Sequence, residues 1–163
     1  MWQGRFITAV KDEQWEYVRR ANNIRAVVIL AETDAGEILL VEQPRVPIGR
    51  ACLELPAGLI GDDDGGESDT VETAARRELE EETGYRAAAI EPLGEYYSSP
   101  GMVSESFTLV RATGLEKVGD GGGTDGEDII VHRVRREAIA AFVAAARDRG
   151  LGIDVKLLML LRL

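Results

Sequence analysis

The sequence predicts an α+β fold in which a mixed β-sheet carries helices on its faces. Two observations carry this prediction. The apolar residues fall into short strand-like runs, then one helical stretch, then more strand runs, then helical stretches at the end, an order that suits a sheet with helices packed against it. No GxGxxG or GxxxxGK[ST] motif follows a strand, so dinucleotide-binding and P-loop folds are disfavoured.

The elements follow in chain order. Residues 6–20, "FITAVKDEQWEYVRR", mix aromatic and β-branched residues with charge and predict an N-terminal strand pair or arm. "IRAVVILAET" (24–33) is a buried strand. After a turn at Asp34–Gly36, "EILLVEQPR" (37–45) is expected to return as its hairpin partner. Pro44 and Pro47 end that strand, and "ACLELPAGLI" (51–60) forms another, broken at Pro56 and Gly58. "GDDDGGES" (61–68) is a polar turn. A helix is expected from about Thr70 to Thr83, capped by Asp69 with Glu72 completing a capping box, and stopped by Gly84. Strands follow at 87–99 and 104–115 around a "PGMV" turn, then a flexible glycine loop at 119–128 and a strand at 129–136. An amphipathic helix at 137–150 and a last helix at 154–163 complete the chain.

The 163 residues suit a single domain over 1–163, and the composition, 45% apolar and 29% charged, is that of an ordinary globular protein. Cys52 is the only cysteine, which excludes an internal disulfide framework and a Cys-rich zinc site. His132 is the only histidine and lies in a strand-like run, where a structural role is expected. The N-terminus lacks the pattern of a signal peptide and the longest apolar run is too short to span a bilayer, so a cytoplasmic location without membrane contact is expected. The net charge of −10, with no basic block, argues against nucleic-acid binding. An anionic substrate would then need cations supplied locally, by metal ions or a few placed arginines.

The stretch "AARRELEEETGY" (74–85) raises an electrostatic question. On a helix Glu78 and Glu82 share a face and Glu81 lies close to Glu78, whereas Glu80 points about 200° away from Glu78. Composition alone favours a solvated helix face, with Arg76–Glu80 and Arg77–Glu81 as pairs four residues apart. The charge distribution is against it. Acidic residues belong in the first turn of a helix, and these crowd the last turns, where the macrodipole disfavours them. A hard divalent cation such as Mg²⁺ or Mn²⁺ would turn the repulsion into chelation.

These residues resemble a family motif. "RELEEETGY" (77–85) is similar over nine consecutive positions to the core of the Nudix box, and "PAGLI" (56–60) resembles the segment that opens it. One departure is the loop around Asp62–Asp64 and Glu67, which carries roughly five more residues than the usual spacing, an insertion a loop tolerates. The resemblance extends to the ADP-ribose pyrophosphatase subfamily through "EQPRVPIGRACLELPAG" (42–58), "SSPGMVSE" (98–105), "TDGEDIIV" (124–131) and "WEYVRR" (15–20).

The resemblance implies a Nudix α/β/α sandwich with the box helix on one face. It implies metal-dependent cleavage of ADP-ribose to AMP and ribose 5-phosphate, or of a related nucleoside diphosphate sugar. The alternatives are a GDP-mannose or broad nucleotide-sugar hydrolase and, more remotely, a non-catalytic nucleotide-sensing module. Carried over by position, Glu78, Glu81, Glu82 and the Ala57 carbonyl are expected to hold Mg²⁺, with Mn²⁺ as a substitute. Arg77 holds the cluster's geometry, and Glu127 is the expected general base. Trp15 is the expected base platform, Arg20 and Arg45 the substrate-contacting arginines, and Glu105 a contact to the terminal ribose. A homodimer is expected, with residues 1–22 as an arm exchanged between subunits.

Overall fold

Neighbouring residues in two central strands enter different cores. Leu30 and Leu40 pack with Leu53 and Ile139, whereas Ile29 and Leu39 pack with Leu79 and Val110. Strands buried on both faces must be covered on both sides, which fixes the layering. The computed structural model describes residues 1–21, 24–61, 69–124 and 126–161. Asp62–Asp64 and Glu67 lie outside the described residues.

Strands β1 (Trp2–Gln3), β2 (Ile7–Asp12) and β3 (Trp15–Arg20) form a small antiparallel sheet. Two four-stranded mixed sheets make up the body. One has the order β7-β4-β9-β8, from β4 (Arg25–Ala31), β7 (Ala57–Ile60), β8 (Tyr85–Tyr97) and β9 (Ser106–Lys117). The other has the order β10-β5-β6-β11, from β5 (Glu37–Arg45), β6 (Arg50–Glu54), β10 (Ile130–Arg135) and β11 (Gly152–Ile153). Helix α1 (Val71–Thr83) packs on β7 and β8, and its Leu79 is fully buried in the Ile29 core. Helix α2 (Ile139–Asp148) covers the opposite core through Ile139, Val143 and Ala146.

The structure corrects several expectations. The strands at 24–33 and 37–45 do not form a hairpin. A single bridge joins Glu32 to Ile38, and the turn closed by Gly36 N–H on the Thr33 carbonyl sends the chain into the other sheet. The reason is competition for edges: β9 pairs with β4 in parallel and β7 pairs with it antiparallel, which leaves β5 no edge of β4. The run 51–60 is two strands in different sheets. It divides at Leu55–Pro56, and Gly58 lies inside β7. Pro56 cannot donate to a ladder, while its carbonyl accepts the Ile29 N–H at 2.8 Å.

Helix α1 is capped by Thr70, one residue later than expected. Thr73, not Glu72, completes the capping box. Asp69 instead accepts the Gly61 N–H at 3.2 Å and the Thr73 hydroxyl at 2.5 Å, tying the helix start to the end of β7. The expected helix at 137–150 begins as a 3-10 turn over Arg136–Ala138 before α2. The expected last helix at 154–163 is instead a 3-10 segment, Val155–Leu160, capped by Asp154 and preceded by the two-residue β11. Among the described residues no helix is long and apolar enough to cross a membrane.

Gly84 ends α1 in the left-handed region at φ 73°. A Cβ there would stand 2.2 Å from the Gly119 carbonyl oxygen, so the glycine loop lies directly on the helix end. That loop supplies donors to the last carbonyls: Gly122 N–H reaches the Glu82 carbonyl at 2.9 Å and Gly123 N–H reaches that of Glu81 at 3.0 Å. The loop carrying Glu127 is thereby fixed to the helix carrying the glutamates.

Candidate active site

A cleft of about 660 Å³ opens where β7, α1, the β5–β6 pair, the glycine loop and the C-terminal segment meet. Of the residues singled out from sequence, Arg20, Arg45, Ala57, Arg77, Glu78, Glu82, Glu105 and Glu127 line it. Trp15 and Glu81 do not. Trp15 stands in β3, 59% exposed, and the Glu81 carboxylate lies 4.0 Å from Arg77 with much of its side chain in solvent.

Glu82 is buried and accepts the Ala57 N–H at 3.0 Å. Burial pushes its pKa up to about 8, and the nearby Glu78 and Glu127 charges push the same way. The Ala57 hydrogen bond and Arg45 oppose the shift. Glu78 shares this wall because residue 58 is glycine: a Cβ there would fall 1.9 Å from the Glu78 Cδ.

Arg77 spans the floor, 3.0 Å from Glu78, 3.4 Å from Asp69 and 3.1 Å from the Leu59 carbonyl, which it bonds. The other expected helix pairing is different. Arg76 pairs with Glu72 at 2.9 Å, and Glu80, facing away, is held by Arg86 at 2.9 Å.

Two of the expected substrate-contacting groups are paired with each other, since the Arg20 guanidinium bonds the Glu105 carboxylate. Arg45 forms a two-pronged ion pair with Glu54, at 2.7 and 2.8 Å. Glu127 is held in a local turn, its carboxylate accepting the Thr124 N–H at 2.8 Å and the Thr124 hydroxyl at 3.2 Å.

Glu54, Cys52, Asp154 and Lys156 also line the cleft and were not found from sequence as site residues. Glu54 carried a signal: a carboxylate in an apolar strand run must find a partner, and it is only 5% exposed. Asp154 and Lys156 carried none, because β11 brings them to the cleft by a parallel pairing with β6. His132 lies apart, 3.0 Å from Glu42 and with its ring edge on Phe142.

Among the described residues, no three Asp, Glu, His or Cys side chains are gathered closely enough to hold a metal as they stand. The donors nevertheless suit a hard cation. Glu78 and Glu82 are carboxylates on one wall, the second is buried against a like charge, and the glycine at 58 lets the Glu78 side chain lie against the strand. A cation there would relieve the cost that raises Glu82.

Comparison with known proteins gives a consistent picture. Residues 22–150 match the profile of the NUDIX domain. An ADP-ribose pyrophosphatase of Bacillus subtilis (strain 168) is 42% identical over 90 residues, covering 55% of this chain and 46% of that protein. An ADP-sugar pyrophosphatase of Mus musculus is 32% identical over 163 residues, covering 90% of this chain and 71% of that one. The chain spans about half the length of bacterial relatives such as the first. The crystal structure of an ADP compounds hydrolase superposes with a TM-score of 0.64 at 22% identity, covering 85% of this chain and 80% of that chain, a likeness of fold.

Proposed function

We propose that this chain, which belongs to the Nudix family, hydrolyses the pyrophosphate bond of ADP-ribose or a closely related nucleoside diphosphate sugar. The products from ADP-ribose are AMP and ribose 5-phosphate. The observation that carries this reading is the placement of Glu78 and Glu82 on one wall of the cleft, with Glu82 buried and Gly58 making room for the Glu78 side chain.

Glu78, Glu82 and the Ala57 backbone would hold Mg²⁺, or Mn²⁺ in its place, and Glu81 would join them by turning from Arg77. Metal bound there would neutralise the pyrophosphate and lower the pKa of the attacking water. Arg77 orients Glu78 through their 3.0 Å contact and anchors itself on the Leu59 carbonyl. Glu127 takes the proton of the attacking water after exchanging its Thr124 bonds for that contact, a change its glycine-rich loop allows. Arg45 and Arg20 counter the substrate's charge, held in place by Glu54 and Glu105.

Trp15 lies outside the cleft of its own chain, so a role as base platform needs a second copy. The exposed Trp2 and Trp15 on the β1–β3 sheet, with exposed Phe6 in the bend between β1 and β2, support a homodimer built through residues 1–22, and light scattering on the purified protein tests it. We place the protein in the cytoplasm. The substrate class is tested by a Mg²⁺-dependent screen that compares AMP release from ADP-ribose with GMP release from GDP-mannose. Release of GMP in preference to AMP moves the assignment to the second substrate.

A further inference from the structure

The glycine loop serves two hollows. Its Glu127 lines the cleft, whereas its Gly121 and Gly122 line a second hollow of about 380 Å³ that shares no lining residue with the cleft. That volume is at the lower end of ligand-sized pockets, roughly 300–1,000 Å³. Both main sheets wall it. Tyr85 and Lys117, register partners on β8 and β9, belong to one sheet, and Val131 and Arg133 of β10 belong to the other.

Two cations meet at Tyr85. The Lys117 Nζ is 5.4 Å from the centre of the ring, and an Arg133 N–H donates to the phenol oxygen at 3.4 Å. Among the described residues neither cation has a carboxylate within 4.0 Å. Arginines on the neighbouring stretches of β8 and β9 do: Arg86 is held by Glu80 and Arg111 by Glu91. The ammonium and guanidinium groups are rich in N–H donors, and among the described residues only the Arg133 bond to Tyr85 uses one. Asp120 also lines the hollow, and the Glu37 charge acts on Arg133 from beyond ion-pair distance. The lining itself therefore sets two cations against one carboxylate, in a chain whose net charge is −10. A phosphate, with its double charge and several acceptor oxygens, matches such a donor set. The apolar Ile129 and Val131 complete the lining beside it.

We propose that this hollow binds a small phosphomonoester, with its phosphate between Lys117 and Arg133 and its organic part against Ile129 and Val131. Such a ligand would sit on the stretch of loop that is fixed to the catalytic helix. The Gly122 N–H is bonded to the Glu82 carbonyl, and a Cβ on Gly121 would stand 2.7 Å from that same oxygen. The ligand adds contacts to the loop form in which Glu127 is bonded to Thr124. Occupancy therefore opposes the rearrangement that frees Glu127 and lowers kcat. This effect rests on the hydrolase reading above, whereas the binding does not.

The test is a titration of ¹⁵N-labelled protein with glycerol 3-phosphate, followed by amide shifts. It is run in EDTA, so that no metal draws the phosphate into the cleft, and at constant ionic strength. Saturable shifts are expected at Tyr85, Gly121, Gly122 and Arg133. Lys117→Ala and Arg133→Ala should each weaken binding roughly tenfold or more, and Lys117→Arg should hold it within about threefold. Arg86→Ala removes a cation of the same sheet outside the hollow and should change affinity less than about twofold. All four variants alter exposed side chains, and melting curves check their fold. Absence of saturable shifts overturns the site, as do shifts confined to cleft residues such as Gly58. Equal losses in Lys117→Ala and Arg86→Ala overturn it too, since the attraction would then be one of general charge. With Mg²⁺ and saturating ADP-ribose, glycerol 3-phosphate should lower kcat of the parent about fivefold or more and leave that of Lys117→Ala unchanged. An equal fall in both overturns the effect on the loop. The two readings fail separately: Lys117-dependent binding without any hydrolysis removes the hydrolase and keeps the site, and hydrolysis without binding at the hollow removes only the site.

Discussion

Glu82 accepts the Ala57 N–H at 3.0 Å, joining the last turns of α1 to the first residue of β7 across twenty-five positions of sequence. The bond places a buried carboxylate at the strand that opens the cleft. It also explains why a substitution here can separate chemistry from folding.

Glu82→Gln keeps an oxygen that can accept the Ala57 N–H and removes the charge. Outer-shell partners of a metal cost about 10–100-fold when altered, and a direct ligand should cost at least the upper figure. Turnover is expected to fall at least a hundredfold while the melting temperature in EDTA is kept or raised, because the neutral amide avoids the burial cost of a carboxylate, to which the Glu78 and Glu127 charges add. Steady-state kinetics beside a melting curve check this. A folded variant with near wild-type turnover removes Glu82 from the ligand set.

Gly58→Ala places a methyl group 1.9 Å from the Glu78 Cδ. The atoms met, Cδ, Cγ and Oε1, all belong to one flexible side chain, so Glu78 should swing away as a whole while the backbone stays and the melting temperature remains within a few degrees. Activity should fall because Glu78 is driven off its wall. A variant as active as the parent would show that Glu78 has no fixed task there.

Glu127→Gln should lower kcat by roughly 10²–10⁴ if Glu127 takes the proton. The amide oxygen can still accept from Thr124, so the loop turn is expected to persist. An unchanged kcat would transfer the role of base to another carboxylate.

Saturating Mg²⁺ or Mn²⁺ should stabilise the chain by mass action on the folded state. At a hundredfold excess over Kd this is about 2.7 kcal/mol, a rise of roughly 5–10 °C in Tm for a domain of this size. Differential scanning fluorimetry reads it directly, and Glu82→Gln should lose most of the rise. Absence of any shift in the parent contradicts a metal site.

Cys52 lines the cleft, yet burial pushes its thiol up to about 11, with the Glu54 and Asp154 charges adding to the effect. Alkylation at pH 8 should be at least about a hundredfold slower than for a free thiol and should speed up only as pH approaches the raised value. Mass spectrometry against time checks the rate. Fast alkylation at pH 8 would mean that the thiol is not held neutral.

Much of the site was legible because it lies in one helix. The helix period sets Glu78, Glu81 and Glu82 apart from Glu80; in the structure Glu80 faces Arg86 and Glu78 and Glu82 line the cleft, while Glu81 stands beside Arg77 outside it. What the helix period could not give was the neighbour of each charge. Arg76 turns to Glu72 and the Ala87 and Ala88 carbonyls because β8 packs beneath it. The strand runs were equally legible as strands, but their partners were not. Local alternation says that 24–33 and 37–45 are strands; only the distant β9, pairing in parallel with β4, decides that they part. The same long-range pairing, between β11 and β6, brings Asp154 and Lys156 to the cleft from a stretch that reads as an apolar helix.

The account turns on whether the paired glutamates serve pyrophosphate hydrolysis. The most direct measurement is product analysis of ADP-ribose incubated with the purified protein, with Mg²⁺ and then with EDTA. The prediction is AMP and ribose 5-phosphate in equal amounts with Mg²⁺ and neither product with EDTA. Tight binding of ADP-ribose in Mg²⁺ with no phosphomonoester released would contradict it.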